Sequence, residues 1–157
     1  MKQVEMNKDM KLSEHFTLGE LCKTSHQTAD GNIPSRVVIE NLRNLCENWL
    51  EDLRYSYNTL YPDDKPIIIT SGYRSPEVNR LAGGSATSNH LTGCAVDIHV
   101  SGFEQAIRYA SILLDIAEGT KRDYDELFIE RNKAGSHWIH FAVRPTGNRR
   151  KTDFLNV

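Results

Sequence analysis

The sequence of residues 35–53 is SRVVIENLRNLCENWLEDL. Apolar side chains recur in it at steps of three and four residues, which is the spacing of one face of an α-helix. These side chains are Val38, Ile39, Leu42, Leu45, Cys46, Trp49, Leu50 and Leu53. The segment therefore predicts an amphipathic helix that packs one face on the core of the domain.

Four shorter segments have the character of β-strands. Residues 66–70, PIIIT, are a β-branched run typical of a buried strand. Residues 94–100 alternate between apolar and polar side chains, as a half-buried strand does. Two further strands are predicted at residues 127–130 and 138–143. Together with the helical segments, these short strands predict an α+β domain.

Two more helices complete the predicted pattern. Apolar residues recur at helical spacing over residues 103–118, and Gly119 is the expected end of that helix. A brief helix is expected at residues 76–81, where a proline follows a serine. The serine-, threonine- and glycine-rich residues that follow it predict an irregular loop before the strand at 94–100.

The length and composition fit one globular domain. The chain has 157 residues, of which 39% are hydrophobic and 25% charged, and this balance supports a single packed core. Residues 1–11 are polar and lack periodicity, so we expect a flexible leader there and a folded domain over residues 12–157. The segment after about residue 144 is polar and basic, and we expect it to be a solvated tail.

The charge and the cysteines exclude several classes of protein. A formal charge of -2 does not provide the positive field that a nucleic acid selects, so we expect no nucleic-acid partner. Three widely spaced cysteines predict neither a disulfide framework nor a thiolate metal site. No transmembrane segment or signal peptide is recognisable, which predicts synthesis in the cytoplasm. We expect the protein to be a monomer.

Two histidines and one carboxylate could form a metal site. His90 lies in the predicted loop, while Asp97 and His140 lie on the polar faces of two predicted strands. Two imidazoles and a carboxylate leave one position open on a tetrahedral zinc ion, and zinc in such a site activates water for hydrolysis. The spacing alone is weak evidence, because a single histidine near a strand is more often structural.

The residues around His90 make the zinc hypothesis specific. Residues 88–97, SNHLTGCAVD, resemble without departure the S-x-H-x-x-G-x-A-x-D motif of zinc cell-wall peptidases. Further similarities are FTLGEL at 16–21, TSGYRS at 70–75, and WIH at 138–140. The family comprises D-alanyl-D-alanine carboxypeptidases and L-alanyl-D-glutamate endopeptidases, including phage endolysins. The resemblance implies a hedgehog-like α+β fold with a small, mostly antiparallel sheet and flanking helices.

The resemblance also assigns roles to individual residues. It implies that His90, Asp97 and His140 bind one Zn²⁺ ion, in agreement with the strand alternation. Arg74 matches the family arginine that contacts the substrate carbonyl or carboxylate, a role for which a permanently charged planar donor is suited; a structural ion pair is the alternative. We expect Tyr73 to line the cleft or to pack, and Ser88 to contact substrate or brace the loop.

One position departs from the family pattern. Three residues before the last histidine, the relatives carry an acid that serves as general base, whereas this chain has His137. An imidazole can serve as a base at neutral pH, but His137 reaches the metal only if the last strand begins at about Trp138. Glu130, at the end of the preceding strand, is the second candidate.

Together these features predict a zinc metallopeptidase that hydrolyses peptide bonds of bacterial peptidoglycan, either as a D-Ala-D-Ala carboxypeptidase or as an endolysin-type endopeptidase. Such an enzyme acts on the cell wall, and without a signal peptide it needs another route of release, either phage-type release or a different exit route from a bacterial cell. The alternative is a catalytically inactive, zinc-stabilised module that binds the cell wall or belongs to a virion, because the expected acid is missing at residue 137.

Overall fold

A long helical segment forms one layer of the domain. The computed structural model of the protein describes residues 6–62 and 64–157. Helix α2 (Arg36–Leu45) continues through a single π-helical turn (Cys46–Leu50) into helix α3 (Glu51–Leu60). Ser35 caps the start, since its side chain accepts a hydrogen bond from the backbone of Val38. The predicted amphipathic helix is present, and it extends seven residues beyond the predicted end.

The described residues form three further α-helices. Helix α1 (Leu18–Leu21) begins with a capping box between Thr17 and Glu20. Helix α4 (Pro76–Leu81) has the predicted bounds and is capped by Ser75. Helix α5 (Phe103–Thr120) runs slightly past Gly119, because Lys121 rather than the glycine adopts the left-handed conformation.

A five-stranded sheet forms the other layer, with strand order β1-β2-β4-β3-β5. The strands are β1 (Ile69–Ser71), β2 (Ala95–His99), β3 (Glu126–Arg131), β4 (His137–Ala142) and β5 (Lys151–Asn156). All neighbours pair antiparallel except β3 and β5, which are parallel. The predicted α+β class and the mostly antiparallel sheet are confirmed.

The core lies between one face of this sheet and the helices. Trp49 of the π-helical turn is 1% exposed and its ring centroid is 5.1 Å from that of Phe141 on β4. Helix α5 buries Leu113 on the same side. Because strand side chains alternate between faces, the residues next to Phe141 in sequence point to the opposite, helix-free face of the sheet.

Two edge regions differ from the sequence expectations. Strand β1 is shorter than the predicted strand at 66–70, and its pairing with β2 is irregular between Ile69 and Ser71. The predicted basic tail contains strand β5, which pairs with β3 along its whole length. Parallel pairing to a distant strand leaves no local sequence signal, so composition alone suggested a solvated segment.

The predicted leader falls partly outside the described residues, since the structure begins at Met6. Within the leader, Met10 and Met6 pack against the core. The backbone N–H of Gly19 donates to Lys8 O at 2.9 Å, and that of Leu18 donates to Met10 O at 2.8 Å. Residues 6–11 therefore lie against the domain, and the boundary at residue 11 stays a prediction.

Candidate metal centre

Three side chains converge on the helix-free face of the sheet. Asp97 on β2 lies directly opposite His140 on β4 in the strand register. The Oδ1 atom of Asp97 is 3.2 Å from His140 Nδ1 and 3.4 Å from His90 Nε2. One potential ligand atom from each residue lies within 4.8 Å of the other two, so the group could hold a metal ion.

Local backbone geometry brings His90 to this point. A short 3₁₀ turn (Asn89–Thr92) carries His90, and Ser88 caps that turn by accepting the His90 N–H at 3.2 Å. Gly93 ends the turn with φ +73, and a Cβ there would lie 2.7 Å from Val38 Cγ1. Only glycine fits such a position, because it needs both a left-handed backbone and no side chain. The predicted tight entry from loop to strand is confirmed.

In each histidine, the ring nitrogen that points away from Asp97, here called the outer nitrogen, also has a hydrogen-bond partner. His90 Nδ1 donates to the carbonyl oxygen of Gly72 at 2.7 Å. His140 Nε2 lies 3.1 Å from the Glu126 carboxylate, and the Phe128 ring stacks on the same imidazole at 5.5 Å. Acceptors on the outer nitrogens fix ring orientation and direct the inner nitrogen toward a metal. The donor set therefore fits a zinc ion, with His90 Nε2, His140 Nδ1 and an Asp97 oxygen as ligands.

The electrostatics of the cluster keep the carboxylate ionised. Burial alone would raise the pKa of Asp97, but hydrogen bonds from His140 and His90 outweigh it and hold that pKa well below its usual range. Burial opposes protonation of His140, yet its contacts with Asp97 and Glu126 raise its pKa to about 9. A proton on His140 is therefore stabilised by both acids, and its positive charge offsets part of their negative charge.

The comparisons with known proteins agree with this geometry. A scan against protein-family models matches the Peptidase M15 model over residues 14–127, which is more than half of the chain. The chain belongs to the Peptidase M15 family. It is therefore a metallopeptidase by family, and M15 peptidases depend on zinc. A search of curated proteins found no match to the chain.

The matched part of this M15 peptidase contains His90 and Asp97, whereas His140 lies beyond it. The sheet pairing supplies the third member of the cluster. As regards membranes, none of the helices within the described ranges has the length and apolar character needed to cross one.

A cleft of about 520 Å³ opens over the metal cluster. The glycine- and serine-rich loop after helix α4 forms one wall, and side chains of strands β3 to β5 form the floor and the other wall. Its lining includes Arg74, Gly83, Gly84, Ser88, His90, Asp97, Glu126, Glu130, Trp138, His140, Arg144, Arg149 and Lys151. The predicted metal ligands thus lie at an accessible surface rather than in a closed core.

Two of the three predicted substrate-binding residues line this cleft. Arg74 reaches it and also makes an ion pair, because its Nη2 is 3.3 Å from Asp97 Oδ2. Ser88 lies in the lining and braces the loop. Tyr73, by contrast, is 8% exposed and belongs to the hydrophobic core. The expectation that Tyr73 could form a cleft wall is corrected, and its packing role is observed.

The two candidates for the general base separate clearly. Strand β4 begins at His137 rather than at Trp138, so the His137 side chain points to the helix side of the sheet. Its ring lies 5.2 Å from that of Phe103 on α5. The hypothesis that His137 reaches the metal is therefore wrong, because His137 and His140 are three residues apart on one strand and their side chains point to opposite faces.

Glu130 lies on the face that carries the metal cluster. Glu130 on β3 is directly opposite Trp138 on β4, two residues along from the pair of Phe128 and His140, so both pairs face the same side of the sheet. Both Glu130 and Trp138 line the cleft. Burial raises the pKa of Glu130 above its usual value, although the positive charge of nearby His140 partly offsets this. A carboxylate with a raised pKa beside a metal cluster has the properties of a general base.

A buried ion network beside the cluster was not anticipated. Asp125 has no exposed surface, and Arg149 binds it through two hydrogen bonds of 2.9 and 2.8 Å. The same carboxylate accepts a hydrogen bond from Asn89 at 2.8 Å, and Asn89 also contacts Glu126 at 2.6 Å. Asn89 precedes His90 in the sequence and Glu126 contacts His140, so this bond connects the surroundings of the two histidines. The sequence does not predict this network, because Asp125 and Glu126 are adjacent while their partners Arg149 and Asn89 are distant in the chain.

Proposed function

We propose that this M15 metallopeptidase hydrolyses peptide bonds in the peptides of bacterial peptidoglycan. The observation that supports the proposal best is the joint placement of the histidine and aspartate cluster, Arg74 and Glu130 around one open cleft. The peptidoglycan substrate follows from the cell-wall peptidase motif at residues 88–97. The site of action in this proposal is the cell wall.

His90, Asp97 and His140 would hold one zinc ion. When bound, zinc polarises the scissile carbonyl and makes water a better nucleophile. The protein itself supplies the orientation of that ion, because Gly72 and Glu126 fix the two imidazoles. Phe128, stacked on His140, keeps water from one side of the ligand.

Glu130 is the proposed general base and acid. In this role its carboxylate accepts a proton from the attacking water and delivers it to the amine that leaves. Its raised pKa suits both steps, because a more basic carboxylate takes the proton more readily and still releases it to an amine. Glu130 and Trp138 are opposite one another in the strand register, and both line the cleft.

Arg74 is the proposed partner of the substrate carbonyl oxygen. Its Nε atom donates to Ser71 at 3.0 Å and its Nη2 atom to Asp97 at 3.3 Å. These two anchors hold the guanidinium group at the edge of the metal cluster, where it can donate to negative charge that develops on the carbonyl oxygen. Arg74 therefore has both roles that the sequence left open, an ion pair and a position in the cleft.

The cleft favours an endopeptidase over a carboxypeptidase. A carboxypeptidase needs a closed cationic end about one residue beyond the scissile bond, whereas the lining here continues from the metal cluster across two further strands to Lys151. The alternative of an inactive binding module was motivated by the missing acid at residue 137. Glu130 removes that motive.

Mass spectrometry of digested peptidoglycan tests the proposal. Purified protein is incubated with peptidoglycan as isolated, after a chelator, and after the chelator followed by zinc. We expect peptide fragments that disappear with chelator and return with zinc, and their masses identify the bond. Protein that carries one zinc ion and binds the wall without releasing any fragment would establish the inactive module instead.

A further inference from the structure

Three basic side chains outside the metal cluster line the cleft. Arg144 follows β4, Arg149 precedes β5, and Lys151 begins β5. All three line the same cleft as His90 and Asp97, and all three lie beyond the residues that the family model matches. We call Arg144, Arg149 and Lys151 the basic wall.

A buried carboxylate holds the basic wall in place. Asp125 binds Arg149 through both of its oxygens and lies 3.2 Å from Arg144 Nε. Arg144 Nε also donates to Asn89 at 3.0 Å. Asp125 pairs with both guanidinium groups, and Glu126 Oε2 lies 3.7 Å from Arg149 Nη2. Since Lys151 adds a third cation, the basic wall carries three positive charges beside two carboxylates. The arrangement is preorganised, because these bonds form without any ligand.

The outward atoms of the basic wall remain available to a ligand. Within the described part of the chain, no side chain accepts a hydrogen bond from the Arg144 Nη atoms or from Lys151 Nζ. Arg144 is 33% exposed at its side chain, and Lys151 is exposed. Guanidinium and ammonium groups that line one cleft can both donate to a carboxylate.

The strand register gives the separation between Lys151 and the metal cluster. Lys151 is aligned with Glu126 on β3 and Ala142 on β4. Ala142 lies two residues beyond His140, which is aligned with Asp97. Lys151 lies two strands across from β4. With strands about 4.8 Å apart and a rise of about 3.3 Å per residue, the separation is on the order of 10 Å. That length corresponds to about three extended residues.

We infer that the basic wall binds a carboxylate of the substrate peptide, about two to three residues from the scissile bond. The inference rests on the proposed peptidase function and names the class of peptide, one with an acidic group on one side of the cleaved bond. Arg74 remains the donor at the reacting carbonyl. The basic wall selects the substrate at a separate point of the cleft.

A pair of peptides tests this inference through binding, independently of cleavage. The probes are a synthetic peptidoglycan stem peptide with free carboxylates and the same peptide with all its carboxylates amidated. Their dissociation constants are measured by calorimetry with the full zinc-loaded chain that carries Glu130→Gln, so that turnover is slow during the titration. We expect amidation to weaken binding about tenfold, the usual effect of losing hydrogen bonds to a charged group.

Substitutions at Lys151 assign the effect to the basic wall. Lys151 makes no side-chain contact on which the described fold depends, so Lys151→Met and Lys151→Glu should fold normally. The penalty for amidation is the dissociation constant of the amidated peptide divided by that of the free peptide. We expect this ratio to be smaller in Lys151→Met and to approach 1 in Lys151→Glu. Lys23→Glu makes the same charge change at an exposed lysine outside the cleft, and it should retain the full penalty.

The possible outcomes separate this inference from the proposed function. Equal binding of the two peptides, no measurable binding of the free-carboxylate peptide, or an amidation penalty that is the same in all Lys151 variants would each overturn the carboxylate site. Discrimination that depends on Lys151, together with no cleavage of either peptide by the unsubstituted zinc-loaded protein, would retain the site and overturn the peptidase.

Discussion

The loop that carries His90 and the segment that carries Lys151 line the same cleft but are encoded in different ways. The first is a ten-residue run, residues 88–97, in which a capping serine and a glycine have local roles that the structure confirms. The second is a basic segment without periodicity that becomes strand β5 by pairing with β3. Local geometry is visible in a sequence, whereas pairing with a distant strand is not.

Loss of His90 should have the largest effect, because it removes a predicted ligand from the locally encoded half of the cleft. We expect His90→Ala to lose bound zinc and to fall to background peptidase activity. Zinc content by atomic emission and peptide release measure the two effects. His99→Ala is the matched control, since His99 lies two residues from Asp97 on β2 and is exposed. Full zinc and activity in His90→Ala would contradict the metal assignment.

The two candidates for general base give the next largest effect. We expect Glu130→Gln to lower kcat by about 10² to 10⁴ while zinc content stays unchanged. His137→Gln should change kcat by less than about threefold, because its ring packs against Phe103 on the other face of the sheet. The reverse order of effects would show that β4 presents its other face to the cleft.

Asp125 connects the two regions, and its loss should reduce stability. Asp125→Asn removes the charge partner of Arg149 and of Arg144. We expect the free energy of unfolding, measured with urea at pH 7, to fall by about 2 to 3 kcal/mol. The loss is smaller than for a fully buried pair because both arginines are partly exposed. Glu118→Gln breaks an exposed pair with Arg150 and should cost less than about 0.5 kcal/mol.

The same carboxylate predicts a pH dependence. The bond from Arg149 holds the pKa of Asp125 at about 2, below the usual value of about 3.9 in an unfolded chain. A depressed pKa in the folded state contributes stability above pH 4, and that stability is lost as the pH falls through about 2. Asp125→Asn should lack this component of acid destabilisation, and equal acid sensitivity of both proteins would contradict it.

Glu126 should show the smallest effect, on the affinity for zinc. It accepts from the outer nitrogen of His140 at 3.1 Å, and loss of such a partner weakens metal binding about 10- to 100-fold. We expect Glu126→Ala to show this loss in competition with a chromogenic chelator, and Glu126→Gln to recover part of it. Unchanged affinity in Glu126→Ala would mean that Phe128 alone orients the imidazole.

Several parts of the site could be predicted because each has a local cause. The alternation of residues 94–100 placed Asp97 on a polar face, and the glycine at residue 93 marked a left-handed turn. The bounds of β4 could not be predicted, since strand ends depend on where the partner strand stops pairing. One residue of difference, a start at His137 instead of Trp138, moved the candidate base to the other face of the sheet.

By itself, the sequence determined the long amphipathic helix, the α+β class and the three residues that could hold the metal, because helical period, strand alternation and a short motif act over neighbouring residues. Only the tertiary structure decided that Glu130 rather than His137 faces the cleft, that Tyr73 is packed, and that the basic segment pairs with β3 beside the metal cluster. These outcomes depend on register and on contacts between distant segments, which no local pattern specifies.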